Sequence, residues 1–216
     1  NMTNFIPILP LAIVVYPQET LNLHIFEPRY IQLIKECSEQ QKPFGIPSVI
    51  NNEVKEYGTL MAITAVEKIY DNEEMDIRTK GIKVFRVLEI IREVPDKLYS
   101  GAIVNYPENK KNGNIAQMQK IISDIRRLHE ILQVSNSGHS RDKKPEDDLS
   151  SYDVAHHAGL SLVEEYEMLA LLTELHRQAY LKRHLKNVIP MMMEMENLKE
   201  RIKLNGHFRN LSIDSF

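Results

Sequence analysis

The chain has 216 residues, 43% hydrophobic and 26% charged, and this composition excludes wholesale disorder and collagen-like structure. Its 27 Lys and Arg residues against 30 Asp and Glu residues give a formal net charge of −3, so no global attraction for nucleic acid or anionic lipid is expected. The single cysteine, Cys37, excludes an internal disulfide and a cysteine-rich zinc site. We therefore expect a cytoplasmic protein.

The N-terminal region is the most apolar part of the chain. The run over residues 6–16 is interrupted by Pro7 and Pro10 and is shorter than the roughly 18 apolar residues that a spanning helix requires. The beginning also lacks the basic region and small-residue cleavage site of a secretory signal. The sequence predicts no association with a membrane.

The first half of the chain has the pattern of short β-strands. Leu21, Leu23 and Ile25 alternate with Asn22 and His24, which predicts a strand whose apolar side chains face a core. Turn-forming residues separate most of the further candidates, which are residues 5–9, 44–50, 59–69, 74–79, 82–93 and 100–106. So many short strands within about 100 residues indicate a barrel or a sandwich.

A single helix interrupts these strands. Pro28 suits a first helical position, and Tyr30, Ile31, Ile34 and Cys37 follow at helical spacing. We expect this helix to close one end of the barrel.

The second half changes to a helical period. Asn114 is a predicted N-cap, and an apolar stripe continues from it to about Val134. Residues 135–151 are too polar to be buried, and they predict a mobile linker.

Two further helical segments follow. Ser161 and Glu164 have the spacing of a capping box, and a second segment begins near Thr173. Pro190 is expected to kink or break this second segment, and Gly206 is expected to end it.

The residues show no catalytic, cofactor or metal constellation. The spacing of the glycines excludes a phosphate loop and a dinucleotide fingerprint, and Ser161 fits a helix cap better than a hydrolase nucleophile. Cys37 lies on an apolar stripe, where a free cysteine is usually a small hydrophobic residue. Basic neighbours of His176 and His184 disfavour a cation there, and the adjacent His156 and His157 diverge on a helix. We expect neither a cofactor nor a metal.

Two features of the last helical segments suggest binding. Basic residues are numerous, but glutamates are interspersed among them, so phosphate binding is the less favoured interpretation. The second feature is a cluster of flexible thioether side chains, which suit a surface for varied apolar peptides: Met191, Met192, Met193 and Met195. Packing in the core or against another subunit remains open for these methionines.

Several N-terminal motifs resemble the substrate-binding domain of the Lon ATP-dependent proteases. The most specific are Pro7–Leu11, the turn Val14–Pro17 and the segment Leu23–Tyr30, which contains the Phe-Glu-Pro-Arg-Tyr motif. The similarity continues in the same order through Phe44–Ile46, Tyr57–Ile63 and Gly81–Val87.

This resemblance implies an α+β fold, with a PUA-like pseudo-β-barrel that contains one inserted helix and a C-terminal helical bundle. We expect the β domain at residues 2–110 and the bundle at 114–206. The Lon family continues into ATPase and protease domains, and this chain resembles a stand-alone form without them. It is therefore expected not to be an enzyme. Relatives of the cereblon type carry a zinc domain that one cysteine cannot supply.

The motif residues are given structural roles. Phe26 and Tyr30 are expected to anchor the helix on the barrel, and Glu27 and Arg29 to tie strand to helix. Gly58 and Gly81 are expected at tight turns or at close approaches between strands.

The leading hypothesis is a non-catalytic module that recognises exposed apolar segments of polypeptides or a partner protein. The resemblance leaves open a protease or ATPase that acts in trans, and a homo-oligomer. The alternative is an RNA-binding PUA-like protein that uses the basic residues of the C-terminal helices.

Overall fold

The computed structural model describes residues 4–134 and 144–209, the side chains of 207–209 excepted. It confirms the α+β class, with a six-stranded antiparallel sheet followed by helices. The strands are β1 (Asn4–Pro7), β2 (Thr20–Ile25), β3 (Phe44–Ile50), β4 (Glu53–Ile69), β5 (Met75–Ile91) and β6 (Gly101–Asn105). The α-helices are α1 (Pro28–Gln40), α2 (Ile115–Leu132), α3 (Ser151–Val154), α4 (Leu162–Ala170) and α5 (Glu174–Arg209).

The described residues form two compact units. The first contains residues up to 111 together with 160–174, and the second contains 112–159 and the residues from 175 onwards. This division differs from the boundaries predicted at 2–110 and 114–206, because residues 160–174 pack with the strands. The predicted boundaries stay a prediction for independently folding domains.

The sheet of the first unit curves until its two ends meet. The strand order is β1-β6-β5-β4-β3, and β2 pairs with the first part of β5. The segment after β1 then bridges β3 in parallel, since the Leu9 amide donates to the Gly45 carbonyl at 2.8 Å and the Val49 amide to the Leu11 carbonyl at 2.8 Å. These bonds give the sheet a barrel-like closure, while its relation to PUA-like folds stays a prediction.

Glycine allows close approach inside this barrel. A Cβ atom on Gly81 would lie 2.5 Å from the Tyr16 carbonyl oxygen, and one on Gly58 would lie 2.6 Å from Pro47 Cα. Both glycines lie within strands, so the predicted close approach is confirmed and a turn at Gly81 is not found. The prediction of separate strands at 74–79 and 82–93 is wrong, because Gly81 pairs with Met61 and joins them into β5.

Among the described residues of the first unit, apolar side chains form a larger and a smaller buried cluster. The larger is capped by α1 through Leu33, Ile34 and Cys37. The other is centred on Phe85, whose ring is fully buried. The helix predicted after Pro28 is confirmed, and its contact with the larger cluster follows from the apolar stripe that predicted it.

The segment 160–174 is held on the barrel by polar contacts within the first unit. The Ser161 and Glu164 capping box begins α4 as predicted. The Tyr16 hydroxyl donates to the Glu165 carbonyl at 2.8 Å, and the Tyr57 amide donates to the Tyr166 hydroxyl at 3.1 Å.

The second unit is built from α2, α3 and α5. The predicted cap of α2 is confirmed, because the Asn114 side chain accepts from the Gln117 amide at 2.9 Å. Two predictions for α5 are wrong, since the helix neither breaks at Pro190 nor ends at Gly206. Pro190 is exposed and removes one hydrogen bond of a 36-residue helix, and Gly206 has no positive φ that would stop it.

The predicted linker lies partly outside the described residues, at 135–143. Residues 144–151 contain a short 3-10 helix at Glu146–Asp148. Ion pairs connect this stretch to its neighbours, from Arg126 to Glu146 at 3.1 Å and from Lys144 to Asp153 at 3.2 Å.

Candidate functional site

Part of strand β4 has no neighbouring strand on its outer side among the described residues. Its first part pairs with β3, and that pairing ends at Phe44 and Met61. From residue 62 to 69 the strand continues beside β5 only, and within the described ranges no other segment pairs with its outer side. We call residues 62–69 the open edge. Edge strands leave alternate amide and carbonyl groups available to a further strand.

The open edge carries apolar side chains on one face. Val66 pairs across the sheet with the buried Ile77, and Ile69 pairs with the buried Met75, so these two side chains share the apolar face of the sheet. Val66 is 37% exposed and Ile69 is 64% exposed. Ile63 packs against the larger core cluster. The apolar face thus extends from the core towards solvent along this edge.

The opposite face of the same strands is polar and is organised around His24. His24 Nδ1 lies 2.6 Å from Asp76 Oδ1, and His24 Nε2 lies 2.9 Å from Glu74 Oε2. The Tyr70 hydroxyl donates to Asp76 Oδ2 at 2.6 Å. A depression of about 360 Å³ on this face is lined by Asn22, Leu23, His24, Glu67, Asp76, Ile77 and Arg78.

These contacts shift the titration of the His24 cluster. Hydrogen bonds to Asp76 and Glu74 raise the pKa of His24 above its usual 6.5. Hydrogen bonds from Tyr70 and His24 lower the pKa of Asp76. The cluster therefore favours an imidazolium held between two carboxylates, which is an ion-pair arrangement rather than an acid-base pair poised for catalysis.

Two features limit how the open edge pairs. The register with β5 shifts between Ile63 and Ala65 and again between Val66 and Lys68, so the strand carries two bulges. Lys68 Nζ lies 4.3 Å from the centre of the Tyr70 ring. Bulges and an edge lysine hinder permanent pairing between sheets, which favours reversible over permanent association.

The predicted methionines all lie on α5 in the second unit. Met191, Met193 and Met195 are exposed and Met192 is partly buried. Arg127 Nη2 lies 3.2 Å from the Met193 sulfur. Their use as a contact surface for polypeptides stays a prediction.

Other sequence-predicted residues have structural surroundings. Phe26 is 59% exposed and stacks on His24, so its predicted role as an anchor of α1 is wrong, whereas Tyr30 packs against the larger cluster. The Glu27 and Arg29 side chains pair at 2.8 Å at the start of α1. Burial raises the pKa of the Cys37 thiol to about 11, which disfavours the reactive thiolate.

Two histidine rings of the second unit contact backbone carbonyls. His184 Nε2 lies 2.7 Å from the Ala158 carbonyl oxygen, and the His157 carbonyl accepts a contact of 2.7 Å from His129 Nε2. Across residues 4–134 and 144–209, no group of three or more His, Cys, Asp or Glu side chains has an arrangement that would hold a metal ion. The helices of that same part of the chain include none with the length and apolarity to cross a membrane.

No pattern in the sequence predicts the open edge or the His24 cluster. Alternation placed His24 on the outer face, but its partners Glu74 and Asp76 are about 50 residues away in the chain. Only the register of β2 on β5 brings them together. The open edge follows from the greater length of β4, because β3 has 7 residues and β4 has 17.

Among the solved structures that share this fold are two Lon N-terminal domains. A Lon N-terminal domain protein from Xanthomonas campestris aligns with a TM-score of 0.62 and 20% identity, over 83% of this chain and 98% of that chain. The N-terminal domain of a Lon protease from the Mycobacterium avium complex aligns with a TM-score of 0.61 and 10% identity, over 85% of this chain and 99% of that chain.

A sequence relative and a family model also match this chain. Protein cereblon from Gallus gallus is 26% identical over 129 residues, which are 57% of this chain and 28% of the relative. The chain therefore spans just over a quarter of the length of that relative. The model of the ATP-dependent protease La (LON) substrate-binding domain matches residues 6–187. The chain belongs to the LON substrate-binding domain family.

Proposed function

We propose that this protein is a non-catalytic module that binds exposed apolar segments of polypeptides, and that an extended segment is added to the open edge of β4. Two observations support the proposal together. The family matched over residues 6–187 is a substrate-binding domain, and the open edge at 62–69 lies within that match. The location of the site depends on one observation, which is that the pairing between β3 and β4 ends at Met61.

The open edge offers two kinds of interaction to an extended segment. Its backbone would supply hydrogen bonds to any sequence, which suits the recognition of varied polypeptides. Val66 and Ile69 would contact the apolar side chains on one face of the added strand, while polar side chains would face Glu67 and Lys68. A segment with apolar residues at alternate positions fits this edge best.

Binding at this edge is expected to be weak and reversible. The two bulges interrupt the regular ladder, so few consecutive hydrogen bonds can form to an added strand. Such an edge would hold a segment briefly, as a module that hands polypeptides to another component requires. The partners proposed from the family, including a protease or ATPase in trans, and the cytoplasmic location stay predictions.

The other binding predictions are not needed for this proposal. Met191, Met192, Met193 and Met195 lie beyond residue 187, where the family match ends. The RNA hypothesis relied on basic residues that include Arg177, and this side chain is buried against Ser151 and Tyr152.

The proposal is tested by titrating the protein into a reduced, alkylated and fluorescently labelled polypeptide and measuring the fluorescence anisotropy. The double variant Val66→Lys with Ile69→Lys is expected to bind about tenfold more weakly or worse, because two apolar contacts are replaced by charges. Both side chains are already partly exposed, so the fold should persist, as circular dichroism will show.

The chain offers a matched control. Ile82 and Leu98 are 40% and 64% exposed, close to the 37% and 64% of Val66 and Ile69, and both lie in the first unit. The variant Ile82→Lys with Leu98→Lys changes the net charge equally and should bind as the unmodified protein does. Equal affinity for both double variants would contradict the assignment to the open edge.

A further inference from the structure

Helix α5 extends beyond the end of α2, which lies beside it in the second unit. The Asn114 amide donates to Gln178 Oε1 at 3.0 Å near the start of α2, and Arg127 contacts Met193 near its end. The two helices therefore run in the same direction. Helix α2 ends at Leu132, so α5 passes the end of α2 close to Asn197.

The projecting part of α5 has no cover among the described residues. Every side chain from Asn197 to Gly206 is exposed, although Leu198, Ile202 and Leu204 are apolar. The earlier part of α5 is packed in the second unit, so the projecting part extends a helix that is already nucleated. Apolar residues on such a segment indicate a partner that packs against it.

The exposed apolar residues follow the spacing of a coiled coil. They are separated by steps of four, three and four residues, at Met191, Met195, Leu198 and Ile202. Their exposed fractions are 53%, 49%, 50% and 63%. A repeat of 3.5 residues places such side chains in one seam between two helices, at the a and d positions of a heptad.

The charges beside this seam are self-complementary. With Met195 and Ile202 at a positions, Glu194 and Arg201 occupy g positions and Lys199 occupies an e position. In a parallel pair, Glu194 of one helix would face Lys199 of the other. In an antiparallel pair, Glu194 would face Arg201. Both arrangements bring opposite charges together twice, by symmetry.

We infer that the C-terminal half of α5 pairs with the same segment of a second copy of this chain, so that the protein forms a coiled-coil dimer through Met191, Met195, Leu198 and Ile202. This inference goes beyond polypeptide binding at the open edge and does not depend on it. In this dimer Met191 and Met195 contact the second copy, whereas the sequence analysis predicts that they contact a bound polypeptide.

Sedimentation velocity over roughly 1 µM to 1 mM protein tests the inference, because a seam of two heptads should give a reversible, concentration-dependent dimer. The variant Met195→Glu with Ile202→Glu should raise the dimer Kd by about tenfold for each apolar layer lost. The matched variant Met193→Glu with Leu204→Glu changes the same helix outside the seam, and it should dimerise normally.

Charge reversal provides a second test that leaves the apolar seam intact. Glu194→Lys alone, and Lys199→Glu with Arg201→Glu alone, should each weaken self-association, because like charges then meet. A mixture of these two variants should form a heterodimer, since opposite charges are restored across the seam in either orientation. Restoration on mixing would not follow from unfolding of the helix.

Three results would overturn the inference. The first is a monomer at every concentration, and the second is equal dimerisation of the seam variant and its matched control. The third is a seam variant that self-associates normally but loses affinity for the unfolded polypeptide, which would assign the methionines to substrate instead. The open-edge variant, Val66→Lys with Ile69→Lys, should still dimerise, so the two proposals fail separately.

Discussion

The barrel of the first unit buries many of its large apolar side chains, whereas the C-terminal half of α5 leaves several of them exposed. In the barrel, strands and α1 enclose Phe85, Leu33 and Ile34 completely. On α5, Met195 and Ile202 stay exposed although they follow an apolar repeat. The barrel buries much of its apolar surface within one unit, whereas the exposed apolar surface of the helix is available for association with a partner.

This difference separates residues that maintain the fold from residues available for binding. Substitutions inside the barrel should change the free energy of unfolding, while substitutions on the exposed surfaces should change association. The first two predictions each compare a buried or constrained position with an exposed one, and equal effects at both positions would contradict this separation. The last two concern helix caps in both units and an exposed ionic cluster.

The largest effect is expected at the two phenylalanines. Phe85→Ala should lower the free energy of unfolding by about 3–5 kcal/mol, because its fully buried ring leaves a cavity. Phe26→Ala should cost less than about 1 kcal/mol, since that ring is 59% exposed. Urea denaturation of both variants measures the contrast. A loss of similar size for both would show that Phe26 is an anchor after all.

A smaller contrast is expected at two glycines. Gly58→Ala should destabilise the barrel by about 1–3 kcal/mol, because the new Cβ would lie 2.5 Å from Phe85 Cζ. Gly206→Ala should instead stabilise its helix locally by about 0.5–1 kcal/mol, as its Cβ would meet nothing within 4 Å. Thermal unfolding tests the first substitution and helix content by circular dichroism the second. A stabilising effect of Gly58→Ala would contradict the close packing.

Helix caps should contribute similar amounts in both units. Ser161→Ala removes the capping box of α4, and Asn114→Ala removes the cap of α2. Each should lower the free energy of unfolding by about 1 kcal/mol, because one amide at the helix start loses its acceptor. Chemical denaturation provides the measurement. No change for either variant would mean that solvent replaces the cap at no cost.

The smallest effect is a dependence of stability on pH from the His24 cluster. The pKa of His24 is raised in the folded state by Asp76 and Glu74, so its contribution is fully present below the unfolded pKa of about 6.5. This contribution is lost as pH rises through the higher folded pKa. The difference in unfolding free energy between the unmodified protein and His24→Gln should therefore shrink from pH 6 towards alkaline pH. A difference that grows with pH would contradict the ion-pair geometry.

Local sequence patterns predicted most of the elements but not all of their ends. The Pro28 start of α1, the Asn114 cap and the Ser161 capping box are encoded within a few residues and are confirmed. The joining of β5 through Gly81 depends on pairing with Met61, which no local pattern reports. Likewise Pro190 and Gly206 are local signals that often end a helix, but α5 continues through both residues.

The candidate site was predicted less well than the fold. The resemblance carried by Leu23–Tyr30 indicated the substrate-binding family, yet the alternation of single residues could not show which strand edge would remain unpaired. That property depends on the relative lengths and registers of β3, β4 and β5. Phe26 was misplaced for a related reason, because alternation alone does not show where a strand leaves the core.

The central claim is that extended polypeptide segments bind at the open edge of β4. Amide hydrogen exchange, measured residue by residue with and without saturating reduced and alkylated polypeptide, tests it most directly. New hydrogen bonds should slow exchange at alternate amides within residues 62–69, while the buried ladder between β4 and β5 stays unchanged. Slowed exchange confined to other segments, with the amides of 62–69 unaffected at saturation, would contradict the account.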